Sequence, residues 1–205
     1  MILCDIGNTT LDFYKNSIRS KILIDDYKDI NSSDTIYYIS VNEKISERLT
    51  RYNNWIDIGL CVDKSRFYET MGIDRIMVCL AVKDGVIIDA GSAITVDIMK
   101  DGEFMGGYIA LGLEKSASCY AGISSKLHGS YNFEQDFDKI PKNTQDAITY
   151  AQLGLLYKDV VSYNLPIYLT GGDADKLKSV FKFATVDGDL VFKSMLEIIK
   201  GADLC

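Results

Sequence analysis

A chain of 205 residues, 47% hydrophobic and 25% charged, has the make-up of a globular protein with one large or two small domains. Its net charge of −7 argues against a broad nucleic-acid surface, although a small pocket of N–H dipoles and metal ions still accommodates a phosphate-bearing ligand. Five cysteines (Cys4, Cys61, Cys79, Cys119, Cys205) with no C-x-x-C point to a reducing cytoplasm. No apolar run is long enough to span a membrane, and residues 1–6 are too short for a signal sequence.

In chain order, residues 1–6, 10–15 and 20–24 read as strands, and 25–35 as a polar loop or short helix. A β-branched and aromatic run, 36–41, is a further strand. Asn42 is placed to cap a helix over 43–52, where Ile45 and Leu49 recur at helical spacing. Residues 55–62 read as a strand and 75–83 as a buried helix. The plan then repeats, with strands at 85–90, 93–99 and 103–110, a helix over 112–126 and a loop over 128–140. Asn143 or Thr144 caps a helix running to about Tyr163. A strand over 165–170 ends in Gly171-Gly172, and helix, short strand and helix follow at 173–181, 182–186 and 190–200.

The most informative stretch is Asp5-Ile6-Gly7-Asn8-Thr9, between two strand-like runs. A hairpin turn is expected around Gly7 and Asn8, residues that tolerate the positive φ of tight turns. The pattern recurs at Asp89-Ala90-Gly91-Ser92-Ala93. One D-x-G is common, whereas two copies, each near the start of a half-chain, indicate internal duplication. The expected architecture is therefore a two-lobed α/β protein, residues 1–83 and 84–205, with the two hairpins facing across a cleft that takes ATP.

With the hairpins placed, the sequence resembles the actin, Hsp70 and sugar-kinase superfamily, whose fold is two duplicated ribonuclease H-like lobes. Within it, the chain is similar to type III pantothenate kinases. The resemblance spans roughly residues 1–175 and is carried by Asp5–Thr9, by Gly72-Ile73-Asp74-Arg75, and by Asp89–Asp97 leading into Gly106-Gly107-Tyr108-Ile109. Asn143-Thr144 with Ala147-Ile148, and Thr170-Gly171-Gly172-Asp173, complete it. Departures are Ser92 for the usual threonine, Leu111 before Gly112 for the usual proline, and an upstream aromatic matched only by Phe67 or Tyr68.

The resemblance implies ATP-dependent phosphorylation of pantothenate to 4′-phosphopantothenate, the first step of coenzyme A biosynthesis. Phosphoryl transfer needs positioning and charge neutralisation more than covalent chemistry. Asp5 is then expected at Mg²⁺, with Gly7, Asn8, Thr9 and Ser92 at phosphate and Gly106, Gly107, Gly171 and Gly172 where backbone approaches the nucleotide. Asp74 is the candidate general base, with Gly72 and Arg75 beside the substrate. Asp89 is expected to help hold a monovalent cation, K⁺ or NH₄⁺, and Thr144 to reach pantothenate in a neighbouring subunit, implying a homodimer. Thr95 is a further candidate hydroxyl, and Asp97 reads equally well as a solvent-facing strand residue. The lone histidine, His128, gives no support to a His-based triad or zinc cluster. The alternatives are another small-molecule kinase of the superfamily, or a regulatory nucleotide-binding protein of the same fold.

Overall fold

The computed structural model describes residues 1–27 and 33–202. Part of the loop expected over 25–35, and Cys205, lie outside the described residues. The chain divides into two compact units, Met1–Ala81 with Asp189–Cys205, and Val82–Gly188.

The first unit is built on a five-stranded sheet of order β3-β2-β1-β4-β5. Its strands are β1 (Ile2–Ile6), β2 (Thr10–Lys15), β3 (Ile18–Leu23), β4 (Ile36–Ser40) and β5 (Trp55–Asp57). The β1, β2 and β3 strands run antiparallel to one another, and β4 and β5 run parallel to β1. Asn16 and Ser17 join β2 to β3 with φ of 51° and 65°, the doubly left-handed turn that matches the twist of a two-residue hairpin. Cys4, Ile6, Leu11, Phe13, Ile36, Tyr38 and Trp55 alternate onto one buried face and pack with Ile45 and Leu49 of helix α1 (Glu43–Leu49). Asn42 caps α1 as expected, its side chain accepting the Ile45 N–H at 3.1 Å.

Residues 55–62 are not one strand. Asp57 accepts the Gly59 N–H at 2.9 Å, and this side-chain turn ends β5 and starts a 3₁₀ turn over Ile58–Cys61. Helix α2 (Ile73–Leu80) begins two residues before its expected start and buries Ile76, Met77, Val78 and Cys79.

The second unit repeats the plan. Strands β6 (Gly85–Ala90), β7 (Ala93–Lys100) and β8 (Glu103–Leu111) form an antiparallel meander. Asp101 and Gly102, with φ of 53° and 80°, make the second two-residue turn. Helix α3 (Leu113–Ile123) follows, then a 3₁₀ turn over Ser125–Leu127. The helix expected from 143 to 163 is composite: α4 (Thr144–Thr149), a π-helical turn (Tyr150–Gly154) and α5 (Leu155–Ser162). Gly154 is required there, because a Cβ would lie 2.9 Å from the Phe137 ring and 3.1 Å from that of Tyr150. Strand β9 (Ile167–Thr170), helix α6 (Ala174–Lys178) and strand β10 (Thr185–Val186) complete the unit. Sheet order is β10-β9-β6-β7-β8, with β9 parallel to both β6 and β10.

Read from the meander inwards, both sheets have the order third, second, first, fourth, fifth, with the same strand directions. The fold is thus a duplicated ribonuclease H-like α/β architecture, that of the actin-like ATPases.

The last helix, α7 (Leu190–Gly201), belongs to the first unit, not to the second where the division at 83/84 put it. Phe192 stacks on Tyr14 of β2 with ring centroids 4.9 Å apart. The Ser194 hydroxyl donates to the Met77 carbonyl of α2 at 2.6 Å. Among the described residues, no helix is long and apolar enough to cross a membrane.

Candidate active site

The two acids that open the repeated hairpins hold the same place in their sheets. Asp5 lies on the central strand β1, in the cross-strand row Lys21–Asp12–Asp5–Ile39. Asp89 lies on the central strand β6, in the row Ile109–Thr95–Asp89–Thr170. Each is followed by one residue before its strand ends, so both stand at the carboxyl edge of the parallel strands, where α/β sheets bind ligands.

The turns themselves differ from expectation. Gly7, Asn8 and Gly91 are not in the left-handed region. The Gly7 N–H donates to Thr10 O at 3.0 Å, and the Gly91 N–H to Ala93 O at 2.9 Å. Residues 7–10 separate the last pair of the first hairpin and 91–93 that of the second, so the first loop is one residue longer. A Cβ on Gly7 would meet only Thr10 O at 3.4 Å, and one on Gly91 only ordinary contacts. The fold therefore tolerates a side chain at both glycines, and their bareness suits close approach by a ligand.

Asp12, directly opposite Asp5, is 7% exposed. Two like charges facing each other across strands repel. Arg19 forms a salt bridge to Asp12, Lys21 lies 3.4 Å from it, and Arg19 also lies 3.6 Å from Asp189. These cations offset the Asp12 charge beside Asp5.

The G-x-D-R motif is brought to the same edge of the first sheet. The Val41 N–H, just past β4, donates to Ile6 O at 3.0 Å, and a Cβ on Gly72 would lie 3.7 Å from Val41 Cγ1. Gly72 caps α2, and its carbonyl accepts the Ile76 N–H at 3.1 Å. Asp74 Oδ1 accepts the Arg75 N–H at 2.8 Å. Burial pushes the Asp74 carboxyl above the ordinary range, opposed by that N–H and by the Arg75 charge. Arg75 is 5% exposed; it donates to the Tyr68 hydroxyl and lies 5.7 Å over the Tyr68 ring. Between the two aromatic candidates, Tyr68 touches the motif arginine, while Phe67 is buried.

Gly72 faces a tighter constraint than Gly7, since a Cβ would lie 2.5 Å from Asp74 Oδ1. Only the carboxylate has to move to relieve this. Gly72→Ala is expected to leave the fold intact and lower kcat about 10²-fold by displacing the candidate base. Steady-state kinetics beside a thermal melt check it, and wild-type kcat would show that Asp74 need not sit where it does.

In the second unit, Gly171 joins the Asp89 hairpin. It has a φ of +87°, and a Cβ would lie 2.3 Å from Asp89 Oδ1 and 2.5 Å from Ala90 O. The Asp173 N–H donates to Ala90 O at 2.9 Å, while Gly172 meets nothing within 4 Å. The expected result is asymmetric. Gly171→Ala loses stability by about 2 kcal/mol or more in urea unfolding, from left-handed strain and the clash. Gly7→Ala stays within about 0.5 kcal/mol of wild type and instead raises KM for ATP. Equal stability losses would mean that Gly7 serves the backbone rather than a ligand.

Ser92 lies in the second hairpin loop, and its carbonyl accepts the Gly112 N–H at 3.3 Å. Thr95, beside Asp89 in the row, has a buried Oγ1 with no hydrogen-bond partner among the described residues. Asp97 is wholly buried rather than facing solvent, a placement that alternation along β7 did not reveal because both faces there are covered.

Gly106 and Gly107 are not brought to this edge. Gly106 pairs with Ile98, five residues along β8 from the Leu111–Ala93 pair at the hairpin end, or roughly 16 Å. Its φ of +128° falls where the β7/β8 register shifts, so the glycine is explained by an irregularity in the ladder. Thr144 is exposed as the first residue of α4 beside a cavity of about 150 Å³ that His128, Lys126 and Ser130 also line. The capping residue is Asn143, which accepts the Asp146 N–H at 2.9 Å, leaving the Thr144 hydroxyl out of the cap.

Among the described residues, no group of three or more His, Cys, Asp and Glu is gathered to hold a metal. Asp5 offers one carboxylate at the carboxyl edge of β1, and Mg²⁺ takes one or two carboxylates and keeps several waters. The oxygens around Asp89, with the unpartnered Thr95 hydroxyl, suit a hard monovalent cation.

The duplicated fold and the paired acid–glycine hairpins define an actin-like phosphotransferase scaffold. Comparison with known proteins makes the assignment specific. A family model described as type III pantothenate kinase matches residues 52–160. A type III pantothenate kinase of Sulfurimonas denitrificans is 52% identical over 208 residues, covering 100% of both chains, and one of Campylobacter hominis is 41% identical, again covering 100% of both. A solved structure from Campylobacter jejuni, described as a candidate Baf family transcriptional activator, is 34% identical and superposes with a TM-score of 0.90 over 100% of both chains. The chain belongs to the type III pantothenate kinase family.

Proposed function

We propose that this protein phosphorylates the primary hydroxyl of pantothenate with ATP, the first step of coenzyme A biosynthesis. The observation that carries the reading is the convergence of Asp5 and the Gly72–Arg75 motif at one edge of the first sheet, in a chain of this family.

In this reading Asp74 orients the attacking hydroxyl and accepts its proton, and burial keeps its carboxyl basic enough for that task. Arg75, held by Tyr68, lends positive charge to the substrate side. Gly7, Asn8 and Thr9 in the first unit, and Ser92 in the second, present N–H and hydroxyl groups to phosphate. Asp5 holds Mg²⁺, and Asp89 with Thr95 holds K⁺ or NH₄⁺. When bound, these ions neutralise charge on the transferring phosphoryl group. Gly171 and Gly172 approach the nucleotide; Gly106 and Gly107 lie further along β8, away from the hairpin edge. Thr144 completes a pantothenate site in a homodimer, a role its exposure leaves open to it. The protein works in the cytoplasm, in keeping with the thiols of Cys4, Cys61 and Cys119.

The description of the Campylobacter jejuni structure gives weight to one rival, a regulatory protein on the same fold. The test is ATP-dependent phosphorylation of pantothenate by the purified protein with Mg²⁺, with and without K⁺ or NH₄⁺. Turnover stimulated by the monovalent cation supports the kinase and its cation site together. No turnover from folded protein under any cation would reject the kinase and promote the rival.

A further inference from the structure

We infer that Gln152 is a positioning residue for the second hairpin loop, acting from the π-helical turn through the β8–α3 junction. The inference rests on the reading above, in which Asp89 and Ser92 belong to the nucleotide site.

The π turn interrupts the helix over residues 150–154 and puts Gln152 out of the register that continuous α-helix would give it. Its Nε2 donates to Leu111 O at 2.7 Å, and its Oε1 accepts from Ser116 Oγ at 3.0 Å. The amide orientation is fixed by its partners, because a carbonyl can only accept and so must face the NH₂. Leu111 ends β8, and Ser116, 2% exposed, lies in the first turns of α3. One side chain therefore bridges both sides of Gly112.

Gly112 is where the junction rests on the hairpin loop. Its N–H donates to Ser92 O at 3.3 Å. A Cβ there would lie 2.4 Å from Gly91 O and 2.5 Å from Ser92 O, so main chain is pressed on main chain. The Leu111–Ala93 pair closes the same loop from the ladder side. The loop thus takes its position from Gly112, and Gly112 is held on either side by Gln152. Its bridge recruits the buried Ser116 hydroxyl as well as the strand-end carbonyl, so loss of the amide releases two contacts.

The test compares Gln152→Leu, which keeps bulk without the hydrogen bonds, with Ser116→Ala, which removes one of them. The expected result for Gln152→Leu is a KM for ATP raised about tenfold, with kcat and the KM for pantothenate within twofold and the melting temperature lowered by a few degrees, because the buried Ser116 hydroxyl loses its acceptor. Ser116→Ala is expected to give a smaller rise in the same constant. Deuterium exchange at amides 91–93, measured without nucleotide, is expected to quicken in both. Asp89→Asn and Ser92→Ala run in the same assay to test the underlying reading. If these two raise KM for ATP while Gln152→Leu and Ser116→Ala leave both KM and exchange unchanged, the positioning role is overturned and the nucleotide site stands. If neither loop variant alters ATP kinetics, the site reading fails and the inference falls with it. Equal losses in every kinetic constant and in melting temperature would show Gln152 to be structural only.

Discussion

Asp74→Asn is expected to lower kcat by about 10²–10⁴-fold while the KM for pantothenate stays within a few-fold. Asparagine has the same shape, and its Oδ1 still accepts the Arg75 N–H, so the start of α2 is preserved. What is lost is the proton acceptor. The same change is expected to leave the melting temperature unchanged or higher at neutral pH, because the carboxylate it removes is one that burial disfavours. The pH dependence follows. The folded Asp74 carboxyl titrates above its unfolded value, near the ordinary 3.8. Its favourable contribution to stability is complete below that unfolded value and is lost as pH rises through the folded one. In wild type, kcat/KM should therefore fall with acid at a pH above the range of a free aspartate, and the Asn variant should lose both that limb and the matching slope in stability. Rate–pH profiles and urea titrations check both parts; an Asn variant with more than a tenth of wild-type kcat would remove Asp74 from the chemistry.

Asp5→Asn is the second large effect. A loss in kcat/KM for Mg·ATP on the order of 10²–10³ is expected, the scale of removing one electrostatic stabiliser from a transition state. The fold should not suffer. Asp5 is repelled by Asp12 directly across the β1–β2 ladder and attracted by Arg19, so the two effects oppose and the variant is expected to stay within about 1 kcal/mol of wild type. Asp12→Asn would behave in the opposite way, because it strips Arg19 and Lys21 of their buried partner and so costs stability. Paired kinetics and unfolding curves for the two variants separate these roles. A stability loss in Asp5→Asn as large as its activity loss would make Asp5 a structural acid.

Much of this was legible in the sequence, for identifiable reasons. The strands around Asp5 and Asp89 were visible because apolar alternation and two D-x-G turns mark them twice, and the repeat anticipated the shared sheet order. The Asn42 cap was visible because its partner lies three residues on. What was hidden depended on side chains meeting backbone or on long-range packing. The carboxylate of Asp57 turns an apolar run into a 3₁₀ turn. Gly7 and Asn8 suggest a left-handed turn by composition, yet the left-handed pairs are Asn16-Ser17 and Asp101-Gly102. Gly106-Gly107 looked like a ligand contact, and only the register of β7 and β8 shows how far along the strand it lies. Gln152 carried no signal, because its partners are 41 and 36 residues away.

The place of α7 in the first unit has a consequence for how the chain is made. Translation completes the sheet of residues 1–57 early, but the helix bearing Phe192 and Met195, both fully buried, emerges only after the whole of residues 82–188. Until then, Tyr14 lacks its stacking partner and the Met77 carbonyl its hydroxyl donor. The second unit, being continuous, is free to fold on the ribosome first. The unit that carries the candidate base is thus begun first and finished last, and a nascent chain stalled before residue 190 holds Asp5 and Asp74 on an uncovered scaffold.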